Sequence, residues 1–128
     1  MSTNDLEKIY EAVNILATHP GDARERLRAC WTPLVLAGSL VPEHLKEEYR
    51  SIKDELTKRQ YQPPEWEPET DLKGMMWIDN RIRWMDARCS YAKMFHTTKT
   101  MKKQTASQLA ERILSLALQW KGWLDHQT

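Results

Sequence analysis

Apolar side chains recur three or four residues apart in five separate stretches of the chain, and the breaks between these stretches contain most of its Gly and Pro residues. This spacing stacks side chains on one face of an α-helix. No alternating strand pattern of useful length competes with it. The sequence therefore predicts an all-α fold, an irregular bundle of about four to six helices. The clearest helix, predicted over residues 103–124, carries an apolar stripe of Leu109, Ile113, Leu116, Trp120 and Trp123.

The earlier helices begin and end at recognisable signals. Residues 4–18 predict a helix that ends at a Pro-Gly pair, and Asp22 is a start signal for the next one. Pro33 lacks an amide hydrogen and its ring clashes with the preceding turn, so the second helix is predicted to kink or end near Thr32. A third helix, over residues 42–58, is expected to bury Leu45, Tyr49, Ile52 and Leu56.

Length and charge describe a folded globular protein. The chain has 128 residues, 41% of them apolar, with a formal net charge of +1, which predicts one domain spanning residues 1–128. This balance excludes a disordered acidic segment and a uniformly basic arm. Residues 59–73 combine three prolines with alternating acids, a composition that favours an extended, solvated connection between helices. A connection of this length is typically functional or mobile.

The two cysteines, Cys30 and Cys89, each lie among apolar residues in a helical pattern. We expect both to be reduced and buried rather than joined in a disulfide. The first residues lack a basic region followed by an apolar run, and no apolar stretch long enough to span a bilayer occurs. The expected location is cytoplasmic, with no membrane partner.

The fourth apolar stretch, residues 74–96, is the most unusual part of the chain because aromatic and arginine residues alternate in it at helical spacing. On a predicted helix, guanidinium groups would lie between aromatic rings along one ridge. In one interpretation these rings are core and the arginines extend along them to water. In the other, the ridge is a docking surface, since Trp, Tyr and Arg dominate interface hot spots. The partner-binding residues are then Trp77, Arg81, Trp84, Arg88 and Tyr91, with Trp66 as a second anchor.

The same region is strongly basic, which supports an alternative function. Between Arg81 and Lys103 seven bases face one acid, Asp86, a local excess of +6. A basic stripe with interleaved aromatics suits a nucleic-acid backbone and stacked bases. The alternative binding set adds Arg83, Lys93, Lys99, Lys102 and Lys103. In a further interpretation, the acidic connection folds back on the basic stretch and neutralises it. In another, two copies of the chain form a homodimer through the ridge.

No catalytic or cofactor signature accompanies these patterns. The four histidines are not spaced with Cys, Asp or Glu as metal ligands are, so we expect no metal. The chain has no Gly-rich phosphate loop and no nucleophile elbow. Asp79 and Asp86 share a helical face near Arg83 and are better ion-pair partners than an acid and base pair. We expect a non-enzymatic protein without a cofactor.

The run from Asn14 to Leu27, which contains His19-Pro20-Gly21-Asp22, resembles the opening of small helical proteins encoded in prophages and other mobile elements. The run from Val41 to Leu45 and the later Ala110-Glu111-Arg112-Ile113 follow in a similar order. The Trp-rich stretch and the acidic connection depart from that pattern. The resemblance implies a mobile-element accessory protein and assigns no catalytic or ligand residue. The surplus of aromatic and arginine residues favours a protein that binds another macromolecule, and a phage-borne inhibitor of a host complex is one such protein.

Overall fold

The computed structural model describes residues 6–59, 75–78, 81–84 and 90–126. The described helices form the irregular all-α bundle that the sequence predicts. Two short 3-10 helices, Gly38–Leu40 and Glu43–Leu45, connect the third α-helix to the fourth. The six α-helices of the described ranges are α1 Glu7–Thr18, α2 Ala23–Ala29, α3 Trp31–Ala37, α4 Lys46–Leu56, α5 Ser90–Thr100 and α6 Lys103–His126.

The long helix α6 organises the core. It packs against α1, α2 and α4, because its apolar stripe is buried as the periodicity predicts. Trp120 at the centre of this stripe is fully buried, whereas Trp123 is half-buried and lies 5.7 Å from the ring of His44. The neighbouring helices contribute the rest of one connected core through side chains such as Ile9, Leu27, Leu34, Ile52 and Met94.

The break at Pro33 occurs three residues earlier than expected. Helix α2 ends at Ala29 with Cys30 as its cap, and α3 begins at Trp31, which places Pro33 in the first turn of the new helix. The first turn of a helix has amide groups without intrahelical partners, so a proline there removes no hydrogen bond. Leu34 then donates the first regular bond of α3 to the carbonyl of Cys30 over 3.1 Å.

Helix α5 continues past residue 96, where the sequence predicts a helix end, and it includes Thr97, Thr98 and Thr100. Each hydroxyl donates to a carbonyl one turn earlier in the helix: Thr97 to Lys93 over 2.7 Å, Thr98 to Met94 over 2.9 Å and Thr100 to His96 over 3.1 Å. Back-bonding of this kind satisfies a threonine inside a helix. The chain turns instead at residues 101–102.

The single helix predicted over residues 74–96 is also wrong. Its first part contains a two-stranded antiparallel hairpin, β1 Met75–Ile78 and β2 Arg81–Trp84, and its last part belongs to the described helix α5, Ser90–Thr100. The register pairs Trp77 with Ile82 and Met75 with Trp84. Trp77, Arg81 and Trp84 therefore do not continue a helical ridge toward Tyr91. β-Branched and aromatic residues favour strands, and two residues of Asp and Asn type between them suit a hairpin connection.

Several predicted features lie outside the described residues: the helix start at Asn4, most of the acidic connection and Cys89. Cys30 is fully buried and free, as expected, and its thiol donates to the carbonyl of Leu27 over 3.3 Å. Burial raises the pKa of this thiol to about 12, which makes it unreactive. Within the described ranges, none of the helices combines the length and the apolar character that crossing a bilayer requires.

Candidate anion-binding cleft

The end of α4 brings two cations against α5. Helix α4 ends at the buried Leu56, and the Thr57 hydroxyl closes its last turn by donating to the Lys53 carbonyl over 2.9 Å. The next two residues are Lys58 and Arg59. The backbone amide of Arg59 donates to the hydroxyl of Thr97 over 3.1 Å. Because Thr97 is itself buried in α5, this bond fixes the tail of α4 beside the last turns of α5.

The junction between α5 and α6 forms the opposite wall. Met101 is buried, and its amide donates to the carbonyl of Thr98 over 3.4 Å. The amide of Ala106 then donates to the carbonyl of Lys102 over 3.0 Å, which begins α6. From α2, a guanidinium nitrogen of Arg24 donates to the carbonyl of Met101 over 3.5 Å. The sharp turn at Met101 and Lys102 is thus held from both sides.

Between these walls lies a cleft of about 300 Å³. Three of its lining side chains are cationic, three are threonines with hydroxyl groups, and one is the buried Met101 that forms the floor. The cations and threonines are Lys58, Arg59, Lys102, Thr97, Thr100 and Thr105. They come from three elements, so the cleft depends on the packing of α4, α5 and α6 together.

The charge of the cleft is positive because none of its described lining residues is acidic. The ammonium group of Lys58 lies 3.2 Å from the carboxylate of Glu55, but both side chains are about half-exposed, and such surface pairs contribute little free energy. Lys99 and Lys103 are exposed directly beside the cleft in sequence. The nearby carboxylate of Asp22 is held by Arg24 over 2.9 Å, and this side-chain bond, with a backbone bond from Glu25, lowers the pKa of Asp22 to about 2.

These side chains can bind an anion, but they offer little for catalysis. Among the described residues that line the cleft there is no histidine, cysteine or carboxylate that could act as a general base. The hydroxyls of Thr97 and Thr100 already donate to helix carbonyls, so they are acceptors and spacers rather than nucleophiles. Across the described ranges, no group of three or more His, Cys, Asp or Glu side chains is placed to hold a metal ion.

Most residues of the predicted aromatic ridge lie outside the part of the chain whose side chains the structure describes. Trp66 and Arg88 lie outside the described residues, as do the side chains of Trp77, Arg81 and Trp84. Tyr91 lies in the first turns of α5, half-buried and packed against the core. Phe95, one turn further along, has its ring 5.1 Å from the guanidinium carbon of Arg28 in α2. An aromatic–arginine contact exists, but it joins two helices of the bundle.

The alternative, basic set is partly brought together. Lys102 lines the cleft, Lys99 and Lys103 are exposed next to it, and Lys93 lies one turn before Thr97 on α5. The side chain of Arg83 lies outside the described residues. Sequence reasoning missed Lys58 and Arg59, because about 40 residues separate them from α5. A signal was available in the pair of adjacent bases at the end of an apolar-periodic helix.

A second cleft, of about 420 Å³, lies between α3 and α4. Its cations are Lys46, Arg50 and Lys53, but Asp54 also lines it and Lys46 is 3.0 Å from Glu43. Lys53 lies over the ring of Tyr49, with 5.8 Å between the ammonium nitrogen and the ring centroid. Exposed apolar side chains flank this cleft, namely Val35, Leu36 and Leu40. It is therefore a mixed surface and less suited to an anion.

Comparison with known proteins adds no relative: no protein-family model matches the chain, and no curated protein or solved structure matches it.

Proposed function

We propose that the protein is a non-enzymatic nucleic-acid-binding accessory that holds backbone phosphates at the cleft between α4, α5 and α6. The observation that carries this proposal is the convergence of Lys58, Arg59 and Lys102 on one cleft without a lining carboxylate among the described residues. Phosphate contacts from Lys and Arg supply most of the affinity of sequence-independent nucleic-acid binding.

A polyanion fits the site better than a single small anion. With Lys99 and Lys103 beside the cleft, five cations lie around the ends of two helices and the start of a third. One phosphate group carries at most two charges, so several phosphates are needed to match them. A nucleic-acid backbone presents such charges in a regular row.

Salt titration tests the proposal. If the protein contacts about five phosphates of a labelled duplex, the logarithm of its affinity should fall with the logarithm of salt concentration with a slope of about −4.5. Between about 50 and 200 mM salt this slope corresponds to a loss of affinity of about 500-fold. Replacing Lys58, Arg59 and Lys102 together by Gln should reduce the slope to about −1.8, which is a loss of about 12-fold over the same range. Fluorescence anisotropy measures both values.

The second cleft supplies a matched control. Replacing Lys46, Arg50 and Lys53 by Gln removes the same residue types and the same charge from the other side of α4. This variant should keep the wild-type slope. A wild-type slope near zero would refute nucleic-acid binding, and equal losses in the two triple variants would show that the cleft has no special part in it. Circular dichroism shows whether each variant is folded.

Binding of a protein partner is the second candidate function, and the α3–α4 surface favours it. Val35 lines the second cleft and is exposed, and the neighbouring Leu36 and Leu40 in the chain are exposed too. Exposed apolar side chains next to charged ones suit an interaction site. Binding through such a surface would depend weakly on salt. Contacts by Trp66, Trp77, Arg81, Trp84 and Arg88 stay a prediction from the sequence, as does a role as a phage-encoded inhibitor of a host complex.

A further inference from the structure

Helix α6 carries a second stripe that its own bundle leaves uncovered. Successive residues of this stripe are four, three, four, three and four positions apart in the sequence, which is the spacing of the contact residues in a coiled coil. All six of its residues are exposed: Ser107, Glu111, Leu114, Leu118, Lys121 and Asp125. Leu114 is 44% exposed and Leu118 is 61% exposed. The two leucines are one turn apart, so they lie next to each other on an otherwise polar face of the helix.

We propose that a second copy of the chain covers this stripe, with the two α6 helices antiparallel about a two-fold axis that crosses the stripe midway between Leu114 and Leu118. In that register Leu114 of each chain faces Leu118 of the other, and Glu111 faces Lys121. Each of these contacts occurs twice because a two-fold interface is self-complementary. The pairing places opposite charges on both sides of a four-leucine layer, as flanking charges do in coiled coils.

Charge selects the orientation. A parallel pair in the same register would bring Glu111 to Glu111 and Lys121 to Lys121, which is repulsive at both positions. Lys121 now lies 3.4 Å from Asp125 in its own helix, but both side chains are more than half-exposed, so this pair yields readily to a new partner. Next to Lys121, a Cβ atom added to Gly122 would meet nothing within 4 Å. The partner helix can therefore approach closely there.

The test measures the mass of the full chain by sedimentation over about 5 to 500 µM, since dimer formation follows mass action. The wild type should shift toward twice the monomer mass within this range. Glu111→Lys makes positions 111 and 121 both positive, and Lys121→Glu makes the same two positions both negative. Each variant alone should dimerise at least ten-fold more weakly than the wild type, and an equimolar mixture of the two should recover a dimer, because opposite charges then meet at all four positions.

Glu11→Lys on α1 is the control, because it makes the same charge change on a different exposed surface. It should leave dimerisation unchanged, while Leu118→Ser should weaken it at least ten-fold. A wild type that stays monomeric at every concentration overturns the proposal. So does a mixture of the two charge variants that stays monomeric, or a Glu111→Lys variant that dimerises as tightly as the wild type. This inference does not depend on nucleic-acid binding.

Discussion

Gly38 and Tyr49 should be energetically coupled, because the phenol occupies space that only a glycine leaves open. The Tyr49 hydroxyl donates to the carbonyl of Leu34 over 2.7 Å. A Cβ atom at Gly38 would lie 2.6 Å from that hydroxyl oxygen and 3.0 Å from the adjacent ring carbon Cζ. The backbone of Gly38 is itself helical, with φ of −59° and ψ of −36°. Alanine is therefore excluded by the phenol and not by the backbone.

The single changes have separate costs. Tyr49→Phe removes a buried hydrogen bond and should lower the free energy of unfolding by about 1 kcal/mol. Gly38→Ala gains about 0.5 to 1 kcal/mol from the lower backbone entropy of the unfolded chain. Forcing the ring aside costs about 1 to 3 kcal/mol, so Gly38→Ala should destabilise the protein by about 1 kcal/mol overall.

The double variant measures the coupling. Without the hydroxyl oxygen, the closest contact of the new methyl group relaxes from 2.6 Å to the 3.0 Å of the ring carbon. The double variant should then be more stable than the sum of the single effects by about 1 kcal/mol. Urea unfolding at neutral pH, followed by circular dichroism, gives the four free energies. Additivity within about 0.3 kcal/mol would refute the steric reasoning.

Two further predictions follow from the buried thiol and from the proposed dimer. Burial raises the pKa of the Cys30 thiol from its ordinary value near 9 to about 12. The unfolded state therefore loses the thiol proton at a lower pH than the folded state does. The free energy of unfolding should keep its full value below about pH 9 and decline as the pH rises toward 12. In the Cys30→Ala variant the urea midpoint should decline less over this pH range. A decline as steep as that of the wild type would contradict the prediction. In the proposed dimer, Thr105 of each chain lies 11 residues along α6 from the two-fold axis. With a rise of about 1.5 Å per residue, the two clefts are about 33 Å apart along the helix, which is close to one turn of B-form DNA. A duplex of about 20 base pairs should bind at least ten-fold more tightly than one of about 8, and Glu111→Lys should remove the difference.

The helices that the sequence predicted well are those whose apolar residues follow a helical period and face one core. Tyr49, Ile52 and Leu56 on α4 are all buried, as expected, and so is Leu45 in the 3-10 helix that precedes it. Helix α6 extends two residues beyond its predicted end, to His126. In such segments local spacing and tertiary packing require the same conformation, so periodicity is sufficient evidence.

The segment that became β1 and β2 shows why periodicity alone was insufficient. Trp77, Arg81 and Trp84 are four and three residues apart, as in a helix, but Trp77 and Ile82 are also aromatic and β-branched positions on either side of an Asp-Asn pair. Short apolar runs fit both periods, and the choice depends on length and on the turn between them. The register pairs Ile78 with Arg81, so two residues connect the strands. A prediction of one continuous helix gives these two residues no turn to form.

The cleft could be predicted only in part, because its two halves are joined by tertiary structure. Lys99, Lys102 and Lys103 belong to a basic stretch that is visible in the sequence, and the turn between α5 and α6 exposes all three. Lys58 and Arg59 reach the same place because a single hydroxyl, that of Thr97, accepts the Arg59 amide. No spacing rule relates residues 59 and 97, whereas the packing of Leu56 and Met94 into one core does. One half of the cleft is therefore visible in the sequence as a basic stretch, and the other half joins it only once the chain has folded.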